Sequence, residues 1–318
     1  MTSSFLRILF LLITVSAFSF SPNVYSQAKK PVAATSYRTV SVVTEPLAAV
    51  WIDGVFYGKA GKTGILEIKT VAAGAHTIRV RLDGYKERSQ PLAAAQRGDI
   101  AIALVKTTDE AELSFQLGER LTGSDREKSS AAYRKAIKLK PNYPEAYVGL
   151  ARVLSDAGDL DDAKAAISTA RKLRPGYAEA SAVEGRIHKE NGDDNKSVAA
   201  FKRAIVEGKG FQPEAYTGLG LLYKEKAEGF GGSGDFDSEN ISYTESAKNL
   251  KAAVKQLSGA PDAIIIYQLL GLVYERQKKY TDAIALYEEF LRVFSDSVEA
   301  TAVRSFIVQI KKDMASQD

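Results

Sequence analysis

Between Pro144 and Tyr177 the chain reads PEAYVGLARVLSDAGDLDDAKAAISTARKLRPGY, and this stretch limits the possible folds more than any other. Tyr147, Leu150, Ala151 and Leu154 recur at spacings of three and four, which predicts a helix with one apolar face. Pro144 falls just inside its start, where a missing N–H costs nothing. Gly158 is expected to end it and Asp159 to cap a second helix, whose positive end suits Asp161 and Asp162. Ala163, Ile167 and Ala170 form the second apolar face, and Arg171, Lys172 and Arg174 suit its negative end. Pro141 and Pro175 punctuate the unit 34 residues apart. The rhythm returns as Tyr216–Leu219–Gly220–Tyr223 and Tyr267–Leu270–Gly271–Tyr274. A hairpin this small cannot bury its apolar faces alone, so copies must stack side by side.

A large–large–small–large signature on a ~34-residue helix-turn-helix resembles the tetratricopeptide (TPR) repeat family. The resemblance spans roughly residues 109–313 and implies a superhelix whose first helices line a concave groove. The first repeat is predicted as helices near 109–122 and 126–139, with Asp109 as a cap. The third, 178–211, departs from the pattern, because Glu184 and His188 stand where apolar residues belong. The fourth begins at Pro213 and reads as interrupted by an insertion at 228–240, with its second helix resuming near Ile241. The fifth covers about 264–294. Val298–Met314 predicts a capping helix, with Arg304, Gln309, Lys311 and Lys312 on a polar outer face, and 314–318 a tail.

The N-terminal third follows other rules. Arg7, the apolar run Ile8–Phe20 and the small residues Ser26-Gln27-Ala28 predict a signal peptide over 1–28, hence a periplasmic or secreted protein. An uncleaved leader serving as a membrane anchor is the alternative, although this run is short of the ~20 residues a span needs. Residues 29–37 read as a linker. From Arg38 the period becomes two: Thr39–Val43, Ala49–Ile52, Val55–Tyr57, Ile65–Ile68, His76–Leu82 and Ile100–Val105 are strand candidates. Asp53-Gly54 is a hairpin turn signal. Short strands at this spacing argue for a small all-β sandwich over 38–106. Pro46-Leu47-Ala48-Ala49 before Val50-Trp51-Ile52-Asp53-Gly54, with Gly74-Ala75-His76 and Asp83-Gly84-Tyr85, resembles a PEGA domain. That family is a small extracytoplasmic β module, so the resemblance implies association with the cell envelope. The fold expected is therefore multidomain: a PEGA-like β sandwich followed by an all-α TPR superhelix.

Several chemistries lack their residues. There is no cysteine, which excludes disulfides, thiol catalysis and thiolate metal sites. Residues 29–106 carry 12 Lys/Arg against 6 Asp/Glu and residues 107–318 carry 30 against 33, without the basic stripe that nucleic acid requires. Gly58-Lys59-Ala60-Gly61-Lys62-Thr63 has two residues between its glycines where a phosphate loop has four. Gly229, Gly231 and Gly234 match a dinucleotide pattern but follow a helix instead of a strand. Asp235, Asp237 and Glu239 open like a calcium loop, yet Asn240 and Ser246 occupy its glycine and glutamate positions. The two histidines, His76 and His188, fall in different domains, and no nucleophile stands beside a base. No nucleotide, metal or other cofactor is expected.

What remains is the groove implied by the repeat resemblance. Its candidate lining is Glu145, Val148 and Arg152; then Glu179, Arg186 and Lys189; then Glu214, Thr217, Leu221 and Lys224; then Gln268, Leu272 and Glu275. The family's clamp for a terminal carboxylate uses Lys and Asn at positions held here by Val148, Ala182, Thr217 and Arg152. A mixed-charge, partly apolar groove suits an extended or helical segment of a protein partner. The functional expectation is a non-enzymatic scaffold, with the β module docking to envelope material or a second partner. The alternative is carbohydrate or peptidoglycan binding through Trp51, Phe56, Tyr57 and Tyr85.

Overall fold

The structure, a computed structural model, describes residues 37–315. The leader at 1–28, all but the last residue of the linker, and residues 316–318 lie outside the described residues.

Seven strands follow from the alternation: β1 (Tyr37–Val43), β2 (Ala49–Ile52), β3 (Val55–Lys59), β4 (Ile65–Ala72), β5 (His76–Arg81), β6 (Arg88–Leu92) and β7 (Gly98–Ala101). They form a three-stranded sheet, β4-β1-β7, and a four-stranded sheet, β3-β2-β5-β6. β1 runs antiparallel to β4 and parallel to β7. Alternate residues of both sheets, among them Val40, Val42, Ile68, Val50, Ile78 and Val80, meet in one buried layer, as a sandwich requires. Asp53 and Gly54 take positive φ (+51° and +83°) in the β2–β3 turn, where the right-handed twist of the flanking strands demands it. The Asp53 carboxylate then accepts the Thr77 N–H at 2.8 Å and faces His76 Nδ1 at 2.6 Å, tying that turn to β5. β6 is absent from the sequence reading because Pro91 sits within it. A proline removes a ladder donor, and β6 tolerates it as an edge strand. The strand expected over Ile100–Val105 stops at Ala101.

Five antiparallel helical hairpins and a final helix make up the rest of the described residues. They are α1 (Glu110–Leu121) and α2 (Arg126–Leu139); α3 (Pro144–Ala157) and α4 (Leu160–Leu173); α5 (Ala178–Glu190) and α6 (Asp194–Glu207). α7 (Pro213–Ser233) and α8 (Phe236–Leu257), α9 (Ala263–Arg276) and α10 (Tyr280–Val293), and α11 (Ala300–Ala315) follow. α3 touches both α1 and α5, and α5 touches α7, so the first helices of the first four hairpins form a continuous inner wall, and α9 follows through its packing on α8.

Size matching at one level explains the stacking. The outer helices present Tyr133, Ile167, Phe201, Leu250 and Tyr287 at equivalent positions, against Gly118, Ala151, Gly185, Gly220 and Gly271 of their own inner helices. Tyr133 and Phe201 also reach the next inner helix, where Gly149 and Gly218 make room. A methyl group on Gly149 would lie 2.5 Å from the Tyr133 ring. Where the outer residue is the smaller Ile167 or Leu250, the next inner helix carries Val183 or Leu269 instead. Helical glycine costs about 1 kcal/mol relative to alanine. Here it admits a buried aromatic ring whose burial contributes about 1.5–3 kcal/mol.

Caps largely follow the reading. Asp109 accepts from the Ala111 and Glu112 N–H groups, and Gly158 closes α3 in the left-handed region. Asp159 precedes α4 but makes no side-chain cap bond. The larger correction concerns 228–240. Helix α7 continues through Ser233 and α8 starts at Phe236, so the expected insertion is a helical extension that turns at Gly234-Asp235. Gly234 is left-handed (φ +82°) and the Asp235 carboxylate accepts the Ser238 N–H.

Candidate protein-binding face

The stacking register fixes which side chains face inward. Gly118 and Ala151 are equivalent, so Glu112, Phe115 and Glu119 of α1 correspond to Glu145, Val148 and Arg152 of α3. The same positions carry Glu179, Ala182 and Arg186 on α5, Glu214, Thr217 and Leu221 on α7, and Ile265, Gln268 and Leu272 on α9.

On α1 these positions are taken by the β module. Arg81 at the end of β5 ion-pairs with Glu119 and Glu87, and its guanidinium lies 5.1 Å from the centre of the Phe115 ring. Gln116 clasps the following turn, accepting the Gly84 N–H at 2.9 Å and donating to the Tyr85 carbonyl at 2.8 Å. Arg120 pairs with Asp83. The module also meets α8: Ser258 Oγ donates to the Thr70 carbonyl at 3.0 Å, and Val55 and Tyr57 pack with the α8–α9 apolar cluster. Burial there pushes the Tyr57 hydroxyl up to about 12.

From α3 to α7 the wall is closed by its own charges. Arg152 donates bidentately to Glu214 at 2.7 and 2.6 Å, reaching from α3 to α7, and contacts Glu179 of α5 at 3.3 Å on the way. Burial would lower the Arg152 guanidinium, but Glu214 and Glu179 outweigh it and hold it above its usual range. Burial likewise pushes Glu214 up, and Arg152 draws it below the usual carboxylate range. Glu145 pairs with Arg174, Arg186 with Asp156, and Lys189 with Glu225 at 2.7 Å. Val148 and Ala182 are buried, so neither offers a surface to a ligand.

From α7 to α9 the wall changes character. Thr217, Leu221 and Gln268 are half-buried, Leu272 is 51% exposed and Ile265 54% exposed. Lys224 is held by Glu228 at 2.6 Å, and Glu275 accepts from the Tyr287 hydroxyl at 2.8 Å. α7 and α9 are also less closely apposed than the earlier inner helices. The candidate residues thus separate into a stretch of paired charges from α3 to α7 and a mixed, more accessible stretch from α7 to α9 that carries Leu221 and Leu272.

The departure in the third repeat has a physical reason. Glu184 accepts from Arg171 of α4 at 3.1 Å and Arg203 of α6 at 2.6 Å, and His188 Nε2 lies 3.8 Å from it. A charge network across three helices replaces the apolar contact. Sequence could not place it, because Arg171 and Arg203 each lie about four turns or more of chain from Glu184. His76 stands apart in the β module, its Nε2 2.9 Å from the Ala72 carbonyl. Among the described residues no three His, Asp or Glu side chains gather as a metal site would require. Gly58 and Lys59 end β3, and Ala60 to Thr63 lead into β4 with no helix behind them.

Helical hairpins stacked side by side in this way define an α-helical repeat solenoid. Residues 125–187 and 240–298 match two models described as tetratricopeptide repeat, and the chain carries tetratricopeptide repeats. Yeast Tom70 shares the fold with a TM-score of 0.51 at 17% identity, over 65% of this chain and 41% of that one. The crystal structure of MamA is 22% identical over 61% of this chain and 96% of that one, with a TM-score of 0.41. A thermophilic TPR protein of Thermus thermophilus is 17% identical over 63% and 98%, with a TM-score of 0.45. No curated protein matches the sequence. Such repeats typically form non-catalytic scaffolds for protein partners.

Proposed function

We propose that this protein is a non-enzymatic adaptor that holds a segment of a partner protein against the α7–α9 half of its inner wall. The observation that carries this reading is the contrast along the wall: from α3 to α7 the charges neutralise one another, whereas from α7 to α9 Ile265 and Leu272 are exposed and Leu221 is half-buried. An apolar strip flanked by Thr217 and Gln268 suits an extended or helical segment, whose side chains supply affinity and whose polar atoms set register. The first repeat supports it, since its equivalent inner positions already hold residues 81–87 of the chain's own β module.

The reading includes export through the leader at 1–28, and a PEGA-like β module that docks the adaptor to the cell envelope. Sugar binding by that module is not favoured. Trp51 lies under Arg79 at 4.6 Å and against Phe56, while Tyr57 packs on the α8–α9 cluster, so these rings are engaged within the molecule.

The test is site-specific photo-crosslinking in the native host. A photoreactive residue at Leu221 or Leu272 is expected to label the same partner, with loss of labelling in Leu272→Asp. The reading fails if the exposed outer position Lys251 labels that partner equally, or if the inner positions label none.

A further inference from the structure

The fourth hairpin outgrows its neighbours. α7 has 21 residues and α8 has 22, against 13 or 14 in α5, α6, α9 and α10. Seven or eight extra residues project the tip by roughly 10–12 Å. The base is anchored through Glu225 to Lys189, Lys226 to Asp194 and Asn240 to Gln277. Toward the tip Phe230 is 37% exposed and Phe236 70%, and Ile241, next to the Asn240 tie, is 66% exposed, so three large apolar side chains stand in water on the projecting element.

Two further features give this surface a sign and a shape. Lys224 and Lys226 at the base are already paired, whereas among the described residues no cation reaches Asp235, Asp237 or Glu239. Gly229 and Gly232, one turn apart on α7, have nothing beside them, so the helix backbone is bare there. Gly231 and Gly234 serve the hairpin itself, the first because the Glu239 carboxylate packs where its side chain would be and the second because it makes the left-handed turn. We propose that this tip is a second docking surface, separate from the inner wall, that takes a cationic amphipathic segment of a partner protein. Its Lys or Arg side chains would pair with Asp237 and Glu239, and its apolar side chains would cover Phe236 and Ile241. The like charge of the tips opposes pairing between two copies.

The full chain is titrated with a labelled helical peptide of Lys and Leu, and with its Glu–Leu counterpart, by fluorescence anisotropy. The Lys–Leu peptide alone is expected to bind, more weakly as salt rises. Phe236→Ser and Asp237→Asn/Glu239→Gln should each weaken it at least tenfold, while Phe236→Leu and Leu272→Asp leave it unchanged. Phe236, Asp237 and Leu272 are exposed and Glu239 is half-buried, and unchanged thermal melts verify the fold. Absence of binding, equal binding to Phe236→Ser, or loss in Leu272→Asp overturns the proposal. So does sedimentation showing a dimer that Phe236→Ser dissociates.

Discussion

Arg152 and Glu214 lie 62 residues apart, yet they make a two-bonded ion pair across the inner wall, and its removal has a calculable consequence. About a quarter of the Arg152 side chain and a third of that of Glu214 remain exposed. The pair therefore falls between an exposed bridge, worth about 0.2–1 kcal/mol, and a buried one, whose disruption costs about 3–5 kcal/mol. A coupling of about 1–3 kcal/mol is expected. Arg152→Met, Glu214→Gln and the double variant would be unfolded in urea and followed by helical circular dichroism. Each single change should lower stability by about 1–3 kcal/mol, Arg152→Met more than Glu214→Gln, because the first strands Glu214 whereas the second leaves Arg152 its contact with Glu179. The double change should cost clearly less than their sum. A coupling below about 0.5 kcal/mol would show that the bridge does not brace the wall.

Other consequences follow from the same contacts. Because Arg152 holds the Glu214 pKa below its unfolded value, the pair stabilises above the usual carboxylate pKa of about 4.3 and loses its effect as pH falls through the folded value. Glu214→Gln should therefore flatten that part of the acid unfolding curve, measured as midpoint against pH. Gly149→Ala should destabilise by about 1–2 kcal/mol despite alanine's better helix propensity, since overpacking against Tyr133 costs about 1–3 kcal/mol. Adding Tyr133→Ile should recover part of the loss in thermal melts. Trp51, the chain's single tryptophan, reports on the β module alone. Its fluorescence transition should coincide with the helical one in the wild type and move to lower urea in Arg81→Gln.

The repeats were legible because their signature is local: an aromatic or aliphatic side chain facing a small residue recurs within each hairpin, as Tyr133 with Gly118 and Tyr287 with Gly271. The inner positions could be named by register for the same reason. Their pairing could not, because Arg152 meets Glu214 only through the pitch of the stack, and Val148 is buried by neighbours far along the chain. The segment 228–240 misled through its glycines, which usually mark loops. The corrective signal was present: Gly158-Asp159, Gly192-Asp193 and Gly234-Asp235 all put a left-handed glycine before an aspartate at the turn between two helices. Pro91 hid β6 because edge position, which excuses a proline, is a property of the whole sheet.

Hydrogen exchange of the full chain, alone and with the partner segment captured at Leu272, tests the binding face most directly. Slower exchange is expected over 214–224 and 265–275, with the outer helices α2, α4 and α6 unchanged. Protection confined to those outer helices or to the β module, with the α7–α9 wall unaffected, would contradict it.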